Sequence, residues 1–443
     1  MSGWVPQGWP MSLVLVAVVG ATMMMGRWPL VQSVGILLCF VVLGMTVAAG
    51  EEERVEDGVW TEAVVASPLT EKPKTMMADL LLPSTGERRR CYIWKDEHSQ
   101  SLGLGDNLLV CISDSQFVRR DDWKLGGDGF NHLSNIQRLR IRALRWRGTL
   151  VERMVAPSED SEAQAVLAAM VLGDKSALTR ELRETYATTG ASHILALSGL
   201  HLGIIYMLLT RLTLGRRRFW LTQVLVVLGV WAFALITGLS TSVVRAAIMI
   251  SLFALFSLGG RRRAPLGVLS FTAIVMLLCN PDSVYDIGFQ LSFMAMLGIL
   301  VFMPLFERMV SVKWMMEHRL VRWLFALMAV SVAAQLGTAP LVAYHFGRFS
   351  TYFLLTNLLV IPAATLILYG AVVTLIIPAM GSVLVWMTGM LNSALGWMSG
   401  LPLSSIEGLH PSWWQVALVY VLEVLFFLLL WRYGPRDWRR RAN

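Results

Sequence analysis

Apolar runs of bilayer length set the pattern of this chain. Two lie near its start, residues 11–26 and 30–49, split by Arg27-Trp28-Pro29. Nine more follow in the second half, at 193–210, 219–238, 242–258, 264–280, 288–306, 323–345, 352–378, 382–399 and 414–431. Most come close to the ~20 apolar residues a helix needs to cross a bilayer. No basic residue precedes the first run, so it makes a poor signal peptide, although Ala48-Ala49-Gly50 resembles a cleavage site. Arg27 between the two runs favours a retained transmembrane hairpin over residues 1–49.

Residues 50–160 break that pattern. Charges become frequent and apolar runs shorten to strand length. Val59 to Ser67, Thr75 to Leu82, Cys91 to Lys95, Leu108 to Ser113 and Ile136 to Leu150 read as strands, separated by Pro, Gly, Asp and Asn. Five such strands in about a hundred residues fit a small β-barrel of the OB type. In the last of them Arg138-Leu139-Arg140-Ile141-Arg142 alternates strictly, and Arg145-Trp146-Arg147 continues after a slip that a bulge would explain. On a strand those arginines share one face, a surface suited either to phosphates and bases or to water and lipid headgroups. Residues 161–190 read as two short amphipathic helices, one from Ala163 to Leu172 and one from Ser176 to Gly190.

Composition agrees with a polytopic α-helical membrane protein carrying a small β-barrel (OB-like) domain: 55% of residues are hydrophobic and 15% charged. The net charge of +8 is gathered in clusters between apolar runs, which points to topology before nucleic acid. Arg27, Arg216 to Arg218, Arg261 to Arg263, the connection from Arg308 to Arg322 with Lys313 and Arg319, and Arg439 to Arg441 all fall on one side of an eleven-span arrangement. That side is the cytoplasm by the positive-inside rule. The acidic connection Asn280 to Asp286 and the domain at 50–160 fall opposite, giving an N-out, C-in protein with residues 433–443 as a basic cytoplasmic tail. Four cysteines make no disulfide scaffold, but Cys91 and Cys111 share the outer domain, where a bond between them is allowed. Cys39 and Cys279 lie in or at spans and stay free. No P-loop, H-E-x-x-H or C-x-x-C occurs, so the chain shows no ATPase motif, no metal site and no cofactor.

The stretch from Thr189 to Gly203 carries the most unusual chemistry. It is apolar enough for a bilayer, yet it holds His193, Ser198, His201 and the glycines Gly199 and Gly203. Imidazole and hydroxyl are costly in hydrocarbon unless they face protein or a watery cavity. Glycines let another backbone approach. In an unbroken helix His201 lies roughly 12 Å deeper than His193, about 80° round from it. Ser198 and His201, three apart, are within hydrogen-bonding reach. Either the histidines are satisfied glue between helices or they line a route. Further polar residues sit in or near later spans: Arg245, Gln290, Gln335, Asn357 and Asn392, with Glu423 the one acid well inside an apolar run.

The run T-G-x-x-H-x-L-A-x-S-G-L-H, from Thr189 to His201, resembles the central motif of the ComEC family of DNA-uptake channels. Val171-Leu172-Gly173-Asp174-Lys175 resembles the entry to that motif. Arg245-Ala246-Ala247-Ile248-Met249, Asn280-Pro281-Asp282, Gly288 to Phe293, Gln335 to Pro340 and Asn357 to Pro362 resemble family motifs in the same order. The resemblance covers residues 160 to 375 and implies an OB-like domain at 50–160. It implies an inner-membrane channel that conducts single-stranded DNA into the cytoplasm during natural transformation, and not an enzyme. His193, Ser198, Gly199, His201, Arg245, Gln290, Gln335 and Asn357 are then candidates for the DNA pathway. Arg138, Arg140, Arg142, Arg145, Trp146 and Arg147 are candidates for DNA contact outside. Partners expected besides membrane lipid are an extracytoplasmic DNA receptor or nuclease and a cytoplasmic ATP-driven motor, since the cytoplasmic connections are too short to hold one. Many members continue into a metallo-β-lactamase-like domain with H-x-H-x-D-H; that motif does not occur here, so this chain resembles the form without it. The rival reading is a small-solute transporter or an intramembrane enzyme built on His193, Ser198 and His201.

Overall fold

The computed structural model describes residues 59–433 apart from Glu87 and residues 112–116, 155–159, 213–218, 259–264 and 310–317. The expected hairpin at 1–49, the arginines at 216–218 and 261–263, Lys313 and the tail after Tyr433 lie outside the described residues. The described residues up to Leu269 and from Ile287 onward form one compact unit. Ser270–Asp286 belongs to a second, in which the end of a helix leads into a 3-10 turn at Pro281–Tyr285.

Among the described residues of the domain, seven strands form a mixed sheet: β1 Trp60–Val65, β2 Thr70–Glu71, β3 Thr75–Leu81, β4 Arg88–Trp94, β5 Asn107–Cys111, β6 Phe117–Val118 and β7 Trp123–Leu125. The order is β6-β4-β3-β1-β5-β7, with β2 on β3. All pairs are antiparallel except β4 with β6. Neighbouring residues alternate between two cores, as a pleated sheet requires. Ala63 and Val65 face Leu80, Ile93, Leu108 and Val110. Val64 and Leu81 face Leu133 and Ile141. Among the described residues the sheet runs from β6 to β7, and no pair that would close it into the expected barrel is present.

The expected strand from Ile136 to Leu150 is a helix, α1 Asn135–Met154. Its buried positions Ile141, Leu144, Arg147 and Met154 are three, three and seven residues apart, a helical spacing, while Leu139 is 51% exposed. A five-residue alternation fits both periods. Fifteen residues without an early Gly or Pro, rich in Arg, Leu and Ala, favour the helix. The expected disulfide is not formed either. Cys91 and Cys111 are free thiols, and Cys279 is free as well. Cys91 lies on β4 and Cys111 on β5, with β3 and β1 between them. Three strand spacings come to about 14 Å along the sheet, twice what a disulfide spans. Burial pushes the Cys91 thiol up to about 11, so it remains protonated and unreactive.

The membrane half begins with α2 Ser161–Leu172, capped by the Asp160 carboxylate on the Ala163 N–H at 2.8 Å and ended by Gly173 at φ 73°. It is not amphipathic as expected. Every residue from Ala163 on except Gln164 is buried, packed against later helices, because its apolar residues cover all sides. The second short helix, α3 Arg180–Thr188, is capped by Thr179 and buries Leu182 and Tyr186. One helical turn follows, α4 Ser192–Leu195.

Then come α5 Gly199–Leu212, α6 Phe219–Ile236, α7 Thr241–Leu258, α8 Pro265–Cys279, α9 Ile287–Met309, α10 Arg319–Phe346, α11 Phe353–Thr374, α12 Met380–Ser399 and α13 Trp413–Tyr433. Each coincides with one of the nine expected runs, except that the first run is broken between α4 and α5. Four of them, α9, α10, α11 and α13, are long and apolar enough to cross a membrane. Two short strands, β8 Arg348–Ser350 and β9 Ser405–Glu407, pair antiparallel between the α10–α11 and α12–α13 connections.

Two contacts organise the bundle. Helices α9 and α10 touch backbone to backbone. A Cβ at Gly298 would stand 2.4 Å from the Ala333 carbonyl oxygen, and one at Gly337 would stand 2.1 Å from that of Met294. At one end of the bundle, connections that the charge pattern places on one side meet α1 and α3. Gly238 packs on Leu144, Gly190 on Ser350, and Arg348 reaches Glu184 at 2.8 Å. That ion pair holds the Glu184 carboxyl below its ordinary range.

Candidate functional site

The central motif is built at this end. After α3, Gly190 turns the chain at φ 81°, a conformation open to glycine. His193 is exposed on α4 and donates from Nδ1 to the Gly190 carbonyl at 3.1 Å. Ala196 to Ser198 then leave the helix, so the two histidines do not share one helix as expected.

Ser198 precedes the first residue of α5 and His201 is the third. The Ser198 N–H donates to His201 Nδ1 at 3.3 Å, and its hydroxyl lies 3.0 Å from the same nitrogen. His201 thus takes the place that a glutamate takes in a capping box. With Nδ1 accepting, the ring proton is on Nε2. Nε2 is buried without a hydrogen-bond partner among the described residues, and His201 is 0% exposed. The expected Ser198–His201 contact is present, and it starts a helix. Gly199 meets Ala246 at an ordinary 3.7 Å, and Gly203 faces open space, so neither glycine marks a close backbone crossing.

Other polar residues of the later helices pair across stretches far apart in the chain. Arg245, next to Ala246 and 4% exposed, lies over the Phe293 ring at 5.5 Å. Gln290, one turn before Phe293 on α9, meets His345 of α10 at 2.8 Å. Asn357 lies one turn into α11 with Oδ1 buried. Tyr186 of α3 donates to Asn392 of α12 at 2.8 Å, and burial pushes its phenol up. Gln335 lines a cavity with Glu423. Phe293, His345 and Tyr186 were not among the expected residues; the signal for Phe293 was its place in the Gly288–Phe293 motif.

The expected arginine row is dispersed by the helix. Arg138 donates to the Leu133 carbonyl, and Arg145 to that of Leu104 at 2.8 Å, so both tie α1 to the domain. Arg147 is buried, 4.0 Å from Asp174, whose carboxylate also accepts from the Ser176 N–H and hydroxyl. Burial lowers the Arg147 guanidinium from its ordinary value and Asp174 opposes that shift. Arg140 is half-buried. Arg142 and Trp146, one turn apart, remain exposed together. Arg147 thus lies buried beside Asp174, apart from the exposed Arg142 and Trp146 with which it was expected to share a face. Arg147→Met is expected to cost about 1–3 kcal/mol, read as a lower unfolding temperature, whereas Arg142→Met is expected to leave that temperature unchanged.

A family model described as Competence protein matches residues 170–433. The chain is 31% identical over 216 residues to ComE operon protein 3 of Bacillus subtilis, covering 48% of this chain and 26% of that protein. It is 32% identical over 244 residues to a protein of Aquifex aeolicus, 51% of this chain and 55% of that one. It is 23% identical over 234 residues to Recombination protein 2 of Haemophilus influenzae, 50% of this chain and 29% of that one. No solved structure matches. The chain thus spans from about a quarter to about half the length of these relatives. The matched stretch begins just before Val171-Leu172-Gly173-Asp174-Lys175 and takes in every later motif and every helix from α3 to α13; the chain belongs to the Competence protein family, that of ComEC.

Proposed function

We propose that this protein acts in DNA uptake as an inner-membrane channel for single-stranded DNA, with the sheet domain on the outer side. The observation that carries the reading is the joining of the family's motif residues. Gly199 meets Ala246, and neighbouring Arg245 lies over Phe293, one turn from Gln290, so three motif stretches far apart in the chain are linked. Their contacts hold helix ends in place, and His193 stands exposed. Exposed Arg142 and Trp146 supply a cation and a stacking surface on the domain, which suits a strand that brings phosphates and unpaired bases.

The hydrolase alternative is weaker. Ser198 and His201 have the contact it needs, but the imidazole is fully buried, and among the described residues no carboxylate orients it. Deletion of the gene tests the proposal. Labelled DNA is expected to reach the cell but to stay accessible to added nuclease, with transformants falling to the background of a strain unable to import DNA. A reporter fused after residue 284 is expected to read the outer side. Undiminished entry of DNA into the cytoplasm overturns the channel; a cytoplasmic reading at 284 overturns the orientation.

A further inference from the structure

Glu423 lies in the middle of α13, with apolar residues on either side in the sequence. It lines an open cavity of ≈ 280 Å³ whose walls include Gln335, Leu336 and Pro340 of α10, Phe349 of β8, Phe353 of α11 and Val419 of α13. None of the other lining residues is titratable. The nearest ionisable group along the chain is Tyr420, whose hydroxyl donates to the Gly337 carbonyl at 2.9 Å.

A carboxylate held in an apolar wall without a cation is costly. A neutral carboxyl there needs one acceptor for its proton. The cavity supplies acceptors. Gln335 carries an amide oxygen, and Pro340 has no N–H for the Leu336 carbonyl four residues before it. The Gln335 amide also carries N–H donors, so it can serve the carboxylate after the proton leaves. One acid, an amide that serves both of its forms and no fixed cation make a site for a proton, not for a metal or an anion.

The position connects that proton to the bundle. Tyr420, three residues from Glu423, ties α13 to Gly337. Gly337 is the residue whose backbone meets Met294 of α9. Glu423 thus lies one turn from the residue that ties α13 to the α10–α9 contact. The cavity reaches Phe349 and Phe353, ring centroids 6.1 Å apart, which stand at the end of the bundle that holds the central motif.

We infer that Glu423 is a reversible proton-binding site inside the membrane bundle, filled from the side on which Phe349 and Phe353 stand. The inference holds whether or not the bundle conducts DNA. The test uses the unaltered full-length protein in lipid nanodiscs with dicyclohexylcarbodiimide, a lipid-soluble reagent that adds to protonated carboxyls. Mass mapping is expected to find Glu423 modified ahead of every other acid. Above the midpoint its rate is expected to fall about tenfold per pH unit, because only the protonated form reacts. Glu423→Gln is expected to abolish the label on that peptide. An unmodified Glu423 in intact inserted protein, or modification at one rate across all pH, overturns the inference.

Discussion

Gly337→Leu is expected to remove folded protein from the membrane. At this position there is no room for any side chain. The first added carbon would stand 2.1 Å from the Met294 carbonyl oxygen and 3.3 Å from the Gly298 Cα. The obstacle is backbone on a facing helix, so no rotamer change relieves it; α9 and α10 must move apart. That separation strips contact from the most extensive helix pair in the bundle and pulls on the Tyr420 hydroxyl, which holds the Gly337 carbonyl. Overpacking a core costs about 1–3 kcal/mol, more where backbone must shift, and Gly337→Leu belongs at or beyond the top of that range. Gly298→Leu is expected to act alike, with its Cβ 2.4 Å from the Ala333 oxygen. Gly203→Leu faces open space and serves as the control. The measurement is the monodisperse fraction after detergent extraction, followed by thermal unfolding of what survives. Equal yields for Gly337→Leu and Gly203→Leu would show that α9 and α10 do not touch as described.

His201→Ala is expected to lower the amount of inserted protein several-fold, with DNA uptake falling in proportion. The side chain is fully buried and closes the start of α5 on Ser198. Its loss leaves a cavity and frees the Ser198 N–H, at a cost of about 2–4 kcal/mol by analogy with core truncations. Ser198→Ala removes only the hydroxyl, for about 1 kcal/mol. His193→Ala is expected to leave the amount unchanged, since that ring is exposed and makes one bond to the Gly190 carbonyl. Uptake is therefore scored per molecule of inserted protein. On the channel reading, His193→Ala lowers it while His201→Ala and Ser198→Ala do not. A catalytic dyad would instead drop uptake per molecule equally for Ser198→Ala and His201→Ala, because residues that act as a unit fail together.

How far the sequence reaches differs between the two halves of the chain. A run of twenty apolar residues can satisfy its backbone in lipid only as a helix, so the nine helices from α5 to α13 lie where hydropathy alone puts them. The four early strands were legible from β-branched runs between turn residues, with ends off by a few residues. Residues 136–150 were not legible. Arg-Leu-Arg-Ile-Arg alternates like a strand, and the choice fell to Ile141, Leu144 and Arg147 finding partners on the sheet and on Gly238.

The candidate site shows the same division. Sequence by itself determined which residues are unusual, because an imidazole, guanidinium or carboxyl in an apolar run has a cost that composition makes visible. It determined too that Ser198 and His201 lie within reach, since three residues fix that spacing. Only the tertiary structure decided what each polar group does. Arg147 ended beside Asp174, Arg245 over Phe293, Gln290 against His345, and Glu423 on a cavity with Gln335. Each of those pairs joins elements from 27 to 88 residues apart in the chain, and local pattern carries no information on which of them fold together.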